Sequence, residues 1–539
     1  MSRRIPALLA VAALVTVVAV AATGTWREAT AQGWLGAGYH RLVRDAFWRR
    51  FDPAAAIALG VLVLLAVGAA LARRPPTRRA ITLPLVLVAA TAIARTLAWG
   101  FDQICPQRPN VVLVSIDTLR ADRLGPYGYA RATSPTLDRR LADEGVVFDQ
   151  AWSQSPKTTP SHMTMLTSLY PSVHGVPLWE GRGAAPSLNP RVTTLAEALK
   201  DAGYATAAFT AGGHMHRDRG FAQGFDVYKH GDQLRRTLAW LDAHPRRPFF
   251  LFFHTYEVHD PYVPPPEVAA RFAADPVPAI ADAAAKVRRG VGGWPRAHKL
   301  FWAPVDAHDP RHVRYLSDLY DAGIARMDGS TLSALLDRLD TLGLADRTLV
   351  VFTSDHGEAF QEHGTFLHED LHAETLHVPL VIRFPRWLPN GRHVDAPVGL
   401  VDVAPTILDL LFLPPLPQAQ GRSLKALSED TDDPPPPEPV FAEHGDPASG
   451  RLLESVRADG WTLVRDGDTM HLYDARTDPG EAHDLAAAEP VRVAALGAAL
   501  ARWHDDNARL APRWQPRAGD SVAPSKHTID QLRALGYVE

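Results

Sequence analysis

Four stretches of this chain carry side chains suited to metal-assisted ester chemistry. Asp117 follows the apolar run Val111–Ile116 in IDTLRADRLGPYG. Asp355 and His356 follow Leu349–Thr353 in SDHGE, and His254 closes Phe249–His254, with His259-Asp260-Pro261-Tyr262 just beyond. These apolar runs read as strands, and in open α/β sheets ligands bind beyond the carboxyl ends of strands. Asp117, Asp355 and His356 can therefore share one divalent cation. Two carboxylates and an imidazole favour Zn²⁺ or Mn²⁺ over Ca²⁺ or Mg²⁺, which prefer all-oxygen shells. In SPKTTPSHMTMLTSLYP, Thr159 reads as an N-cap and Pro160 as the first helical residue. Thr158 then lies at the mouth of a helix N-terminus, where free N–H groups and the helix dipole favour an anion. A hydroxyl beside a metal and an anion hole outlines phosphoryl or sulfuryl transfer. Each piece has a plainer reading: a lone Asp after a strand caps a turn, and Thr158 and Thr159 can simply cap a helix. Their joint occurrence at strand ends favours a site.

The elements that must position these groups alternate. Val111–Ile116, Val146–Trp152, Ala205–Thr210, Phe249–His254, Leu349–Thr353 and Pro379–Phe384 read as strands. Pro160–Ser168, Thr194–Ala202, Leu234–Ala243 and Val313–Leu342 read as helices between them. Alternating βαβα implies a mostly parallel sheet sandwiched by helices. Pro276–Pro310 reads as an irregular insertion near the site, and Asp432–Pro439 (DDPPPPEP) as a stiff linker. Val440–Glu443, Leu453–Arg457, Trp461–Arg465 and Met470–Tyr473, separated by Gly/Asp turns, suggest a small antiparallel sheet. A polar tail closes the chain at Gln531–Glu539.

The 539 residues are 46% hydrophobic and 22% charged, which excludes wholesale disorder. A net charge of −4 gives no reason to expect nucleic acid. The one cysteine, Cys105, excludes an intrachain disulfide and any thiolate-built metal site, and reads as inert linker. The apolar residues are concentrated at the start. Ile5–Trp26, Pro53–Ala72 and Ala80–Trp99 are long apolar runs, with only Arg95 charged among them. They read as about three membrane helices, the first being the uncleaved alternative to a secretion signal. Arg3, Arg4, Arg73, Arg74, Arg78 and Arg79 fall on one side of that path, which the positive-inside rule places in the cytoplasm. Arg27–Asp52, with Trp34 and Trp48, reads as an interfacial amphipathic helix whose own arginines complicate the count. The expectation is a multi-pass inner-membrane protein with its catalytic part on the periplasmic or extracellular side. Residues 1–104 would form the anchor, 105–430 the catalytic domain, and 431–539 a C-terminal subdomain and tail.

From about Arg108 to Leu427, and in the C-terminal module, the chain resembles the sulfatase branch of the alkaline-phosphatase superfamily. NVVLVSIDTLRADRLGPYGY resembles the first metal strand of that family, KTTPSHMTMLTSLYPSVHG the nucleophile segment, and LVVFTSDHGE the second metal strand. HVPLVIRFP, VGLVDVAPTILDLL and HLYDARTDPGEAHDLA match its other recurring stretches. The departures matter more. Thr158 stands where true sulfatases carry the residue that becomes formylglycine, and His162 stands at the following arginine. Threonine cannot be oxidised to that aldehyde. Thr118 replaces the second aspartate of the Asp-Asp pair, and His368, with His363 nearby, stands at the late lysine. This set is similar to the threonine-nucleophile members, such as lipid phosphoethanolamine transferases and lipoteichoic acid synthases. The resemblance implies one metal held by Asp117, Thr158, Asp355 and His356. It makes Thr158 the nucleophile, with Lys157, His162, His259, His363 and His368 as candidates for stabilising oxygens or protonating the leaving group. His259 and His368 rank first.

His254 reads equally as a site residue or a sheet-end residue facing solvent. His214 and His216 (GGHMH) read as a surface loop before substrate contacts, and Asp260 and Glu369 as structural. The expected function is a membrane-anchored, metal-dependent hydrolase of phosphate or sulfate esters, lipid- or glycan-borne. The alternatives are a transferase moving a phosphoethanolamine- or phosphoglycerol-type group to envelope lipids or glycans, and a non-catalytic surface protein retaining the fold.

Overall fold

The computed structural model describes residues 108–177, 185–243, 247–290, 293–385, 387–429, 434–446, 450–517 and 521–522. The expected membrane segments at 5–26, 53–72 and 80–99 lie outside these. Among the described residues no helix is long and apolar enough to cross a membrane.

Eight strands form the central sheet: β1 (Asn110–Ile116), β2 (Val146–Phe148), β3 (Ala205–Thr210), β4 (Val227–His230), β5 (Phe249–Thr255), β6 (Thr348–Thr353), β7 (Leu380–Arg383) and β8 (Arg392–Val394). Their order is β8-β2-β7-β6-β1-β5-β3-β4, and β7 alone runs against its neighbours. Both faces are covered, so the strands read as continuous apolar runs rather than alternating ones. In β1, Val111 and Leu113 enter one core cluster while Val112, Val114 and Ile116 enter the other. Each fully buried side chain of this size contributes roughly 1.5–3 kcal/mol.

One face is packed by α1 (Thr158–Thr167), through Met163 and Leu166, and by α2 (Leu195–Asp201), through Leu195 and Leu199. α2 opens on a capping box of Thr194 and Glu197. The other face takes α3 (Gln233–Ala243), α4 (Pro278–Arg288), α5 (Trp294–Trp302), α6 (Pro310–Arg326) and α7 (Ser333–Thr341). A π-helical turn, Met327–Leu332, joins α6 to α7 within the single helix expected there.

Several boundaries differ from expectation. The span 276–310 is not irregular. Pro278 and Pro295 stand in the first turn of α4 and α5, where a missing N–H costs nothing, and the Ala-rich stretch of α4 favours helix. Val146–Trp152 breaks at Asp149–Gln150, and Ala151–Trp152 pairs instead with Val398–Gly399. α1 begins at Thr158, with Lys157 rather than Thr159 at the N-cap.

The C-terminal strands β9 (Val440–Asp446), β10 (Arg451–Ala458), β11 (Trp461–Asp466) and β12 (Thr469–Asp474) form the expected antiparallel sheet in sequential order. A long helix that the sequence reading passed over, α8 (Pro490–Trp514), packs on it through Leu496, Leu500 and Trp503. The three-to-four-residue spacing of those positions was its signal. Trp503 meets Tyr170 edge-on and stacks on Phe441, each at 5.1 Å, so this sheet shares a core with the nucleophile side of the central sheet.

One glycine fixes the path of the segment that carries Asp355 and His356. A Cβ on Gly357 would lie 2.1 Å from the Glu374 carbonyl oxygen, which accepts the Glu358 N–H at 2.9 Å. Gly357→Ala should therefore push the metal-strand loop off residues 374–375, lowering stability by about 1–3 kcal/mol in urea unfolding. An unchanged midpoint would show that the loop can yield.

Candidate active site

β1 and β6 are neighbours, so the residues leaving their carboxyl ends meet. Asp117 leaves β1 with its N–H donating to Thr255 O at 3.0 Å. Thr118 then turns sharply at φ 59°, a left-handed conformation costly for a β-branched residue. Three bonds hold it: its N–H donates to Asp355 Oδ1 at 3.2 Å, its hydroxyl donates to Asp117 O at 2.8 Å, and its carbonyl accepts the Tyr320 hydroxyl of α6 at 2.7 Å.

Asp117, Asp355 and His356 are fully buried and offer ligand atoms all within 4.8 Å of one another. Asp117 Oδ1 and Asp355 Oδ2 are buried without hydrogen-bond partners. His356 Nδ1–H donates to Gly357 O at 2.9 Å, which leaves the Nε2 lone pair 3.4 Å from Asp355 Oδ2. Burial holds His356 down to about 4, in the neutral form a metal requires. Burial, and then the facing Asp355 carboxylate, push Asp117 well above the usual carboxylate range. Two unpartnered carboxylate oxygens and an imidazole lone pair, facing one another out of water, fit a divalent cation. Thr158 Oγ1 joins them, 3.5 Å from His356 Nε2.

Around this cluster the sequence candidates divide. His162, one turn along α1, spends both ring nitrogens on the scaffold: Nδ1–H donates to Thr158 O and Nε2 accepts from Ser115 Oγ, each at 2.9 Å. It braces the first turn of α1 behind Thr158. His254 is buried, not solvent-facing. Its Nδ1 accepts a long bond from Ala211 N–H at 3.5 Å, so Nε2–H donates to Asp117 Oδ2 at 3.0 Å. His259 lies with Nε2 4.0 Å from Asp117 Oδ1 and Nδ1 3.1 Å from Asp260 Oδ1. Burial opposes its charge, but the hydrogen bond and field of Asp260 outweigh that and raise it to about 10. Asp260 is fixed in turn by His298 Nδ1 at 2.6 Å and Trp302 Nε1 at 3.1 Å, both from α5. The helix that the sequence reading missed thus orients a site histidine.

His368 is half-buried, with its ring 4.4 Å from that of His356 and its Nδ1 out of water without a partner. Desolvation first, then the neighbouring His356 and Lys157, which disfavour a further positive charge, push it well below the usual imidazole range. Lys157 is buried at the start of α1 and pairs with the half-exposed Glu369. His214 and His216 are buried rather than on a surface loop, and the His214 carbonyl accepts Thr159 Oγ1–H at 2.9 Å. Glu358 went unassigned from sequence. Both its oxygens are buried and unpartnered, and burial raises it to about 8.

His363 is not brought to the site. Its Nδ1 binds Glu374 at 2.6 Å, its Nε2 binds Glu481 O at 3.0 Å, and its ring stacks on His372 at 3.6 Å. It fastens the chain after the metal strand to the C-terminal part. Nothing local distinguishes it from His368; only the path after Gly364 does.

The fold and this cluster define a class: an α/β ester-cleaving protein with a hydroxyl at a helix N-terminus facing a carboxylate–imidazole cation site. The chain belongs to the sulfatase family, whose model, described as Sulfatase, matches residues 109–412. A second model, N-sulphoglucosamine sulphohydrolase, C-terminal, matches residues 361–500. The chain is 26% identical over 446 residues to arylsulfatase K of Gallus gallus, covering 72% of this chain and 81% of that one. It is 22% identical over 469 residues to an N-acetylglucosamine-6-O-sulfatase of Bacteroides thetaiotaomicron, covering 70% and 83%. Among solved structures, one in complex with its substrate D-glucosamine-2-N,6-O-disulfate has a TM-score of 0.61 at 20% identity, covering 75% of this chain and 99% of that one. The phosphonate monoester hydrolase of Agrobacterium radiobacter gives a TM-score of 0.57 at 21% identity, covering 75% and 96%. The protein is accordingly an ester hydrolase of the sulfuric or phosphoric class.

Two outcomes follow from the geometry. His254→Ala frees Asp117 Oδ2 and should weaken Zn²⁺ or Mn²⁺ affinity by about 10–100-fold in isothermal titration; unchanged affinity would make the bond incidental. At His363, burial opposes protonation, but the Glu374 bond outweighs it and raises the imidazole to about 9. A raised folded-state value stabilises below the unfolded value near ~6.5 and loses that contribution as pH climbs through about 9. The melting temperature of wild type relative to His363→Gln should therefore fall between those limits; a pH-independent gap would rule this out.

Proposed function

We propose that this protein cleaves sulfate or phosphate esters with Thr158 as nucleophile, in a site whose cation is held by Asp117, Asp355, His356 and Thr158 itself. The observation that carries the reading is the approach of Thr158 Oγ1 to His356 Nε2 beside two unpartnered carboxylate oxygens. When bound, a divalent cation lowers the pKa of a coordinated hydroxyl and neutralises charge on the ester oxygens. The Zn²⁺/Mn²⁺ preference rests on the two-carboxylate, one-imidazole donor set.

Thr158 Oγ attacks the phosphorus or sulfur as the bond to the bridging oxygen breaks. His259, protonated across the neutral range, supplies the proton that the departing alcohol takes up. The N-terminal peptide groups of α1 and the Lys157 ammonium stand where non-bridging oxygens gather charge. Neutral His368, with Nδ1 unpartnered, takes the Thr158 hydroxyl proton during the attack and returns it to Oγ as water, deprotonated by the now neutral His259, releases the acid. His162 and His254 act through Thr158 and Asp117. The carbohydrate substrates named for the relatives support a sugar-borne ester as substrate. They give no support to the transferase or the non-catalytic alternatives.

The anchor belongs to the same reading and rests on sequence: three apolar runs before residue 105, with the catalytic domain, residues 105–430, and the C-terminal subdomain, residues 431–539, on the periplasmic or extracellular side.

Intact mass of the detergent-solubilised chain after mixing with aryl phosphate and aryl sulfate, with added Zn²⁺ or Mn²⁺, tests the nucleophile. Wild type should turn over at least one ester or carry an 80-dalton-scale adduct, roughly the mass of one transferred group. Thr158→Ala should lose the adduct and roughly 10³-fold or more of kcat. Full activity in Thr158→Ala would refute the assignment.

A further inference from the structure

Among the described residues four arginines are buried: Arg120, Arg219, Arg383 and Arg457. Three meet a carboxylate. Arg120 meets Asp122 at 2.7 Å and Glu362 at 2.6 Å, Arg383 meets Glu144 at 2.7 Å, and Arg457 meets Glu481 at 3.4 Å. Arg219 is 7% exposed and meets none among the described residues. Its Nη2 donates to the Pro177 carbonyl, while Nε and Nη1 have no hydrogen-bond partner. A buried cation with two idle donors is costly unless an anion completes it. Burial lowers its pKa only to about 10, so it stays charged at neutral pH.

Its place is beside the ester site. The turn Gly213–Met215 is tied to α1 by the Thr159 hydroxyl, which donates to His214 O at 2.9 Å. The turn Arg217–Arg219 follows at once, with Arg219 N–H donating to His216 O at 3.0 Å. The buried His214 ring lies in the field of Arg219 and of three site groups, His259, Lys157 and His356. Nη2 has a second N–H beyond the one given to Pro177, and with an idle neighbouring N–H it forms the parallel fork that suits a carboxylate or a tetrahedral oxyanion.

We propose that Arg219, on the His214 loop, is a second anion subsite, and that the natural substrate bears a further sulfate, phosphate or carboxylate group close to the ester that is cleaved. The inference deepens the ester-hydrolase reading and rests on it. It assigns Arg219 to specificity: the residue selects a dianionic substrate and takes no part in bond cleavage.

The test uses the full-length, metal-loaded protein and two kinds of probe. The first is a pair of sugar esters that differ only by a second sulfate. Wild type should show a lower KM for the disulfated sugar. Arg219→Gln should raise that KM roughly 10–100-fold, with kcat and the monosulfated KM little changed. Arg219→Lys, which keeps the charge and loses the fork, should fall between. Equal losses on both sugars would overturn the proposal.

The second probe needs no turnover. Ethane-1,2-disulfonate should raise the melting temperature of wild type more than methanesulfonate does, and this difference should vanish in Arg219→Gln. No difference in wild type would overturn the subsite, even where Arg219→Gln fails to fold. A wild type that prefers the disulfonate but cleaves neither sugar supports the subsite and counts against the ester reading.

Discussion

Two carboxylates facing each other out of water are the constraint around which the site is built. Asp117 and Asp355 are both fully buried, and each keeps one oxygen without a hydrogen-bond partner. Like charges in a low-dielectric interior repel strongly, so the arrangement persists only if a cation joins them or one of them stays protonated. The raised Asp117 is that second solution, and the His356 lone pair beside the two oxygens favours the first. The pairing of β1 with β6 brings the two aspartates together, the Thr118 turn aims the first, and Gly357 lets the loop behind the second lie flat against residues 374–375.

Histidines supply much of what surrounds this pair, and position sets the role of each. His356, His254 and His368 are pushed toward neutrality by burial, whereas His259 keeps its proton because Asp260 outweighs the same burial. Under the proposed function, one residue type would therefore serve as a metal ligand, a hydrogen bond that orients a ligand, an acceptor and a proton donor. Where the resemblance leads one to expect an arginine after Thr158, His162 instead links Thr158 O to Ser115. That link is neutral, so it adds no positive charge to the anion pocket. Lys157 and the protonated His259 carry the positive charge there instead.

The C-terminal sheet takes part in the same architecture. Glu481 accepts from His372 and from the backbone of Ala373 and pairs with the buried Arg457, so residues 363–374 are held from behind by residues that follow β9. His368 lies within that held segment and points back to His356. The peptide between His363 and His372 is thus fastened at both ends to structure and presents its middle to the site.

The sequence by itself determined the parallel α/β sheet, because strands buried on both faces leave continuous apolar runs that no amphipathic alternative explains. Asp117, Asp355 and His356 stood out because they lie at or just past strand ends, whereas Thr158 joined them as a metal set only through the family resemblance. Ala205–Thr210 matches its strand residue for residue, and the four C-terminal strands fall where Gly and Asp turns separate them. Tertiary structure decided what depends on distant partners. Prolines in 276–310 concealed α4 and α5, since the same residue breaks a helix interior and starts a helix. The roles of His254, His162 and His363 follow from which atoms their two ring nitrogens reach, and those atoms lie from one turn to more than a hundred residues away. Arg219 shows the limit most directly: nothing in RDRGF distinguishes a surface arginine from a buried one, and only packing shows that this one was left without a counter-charge.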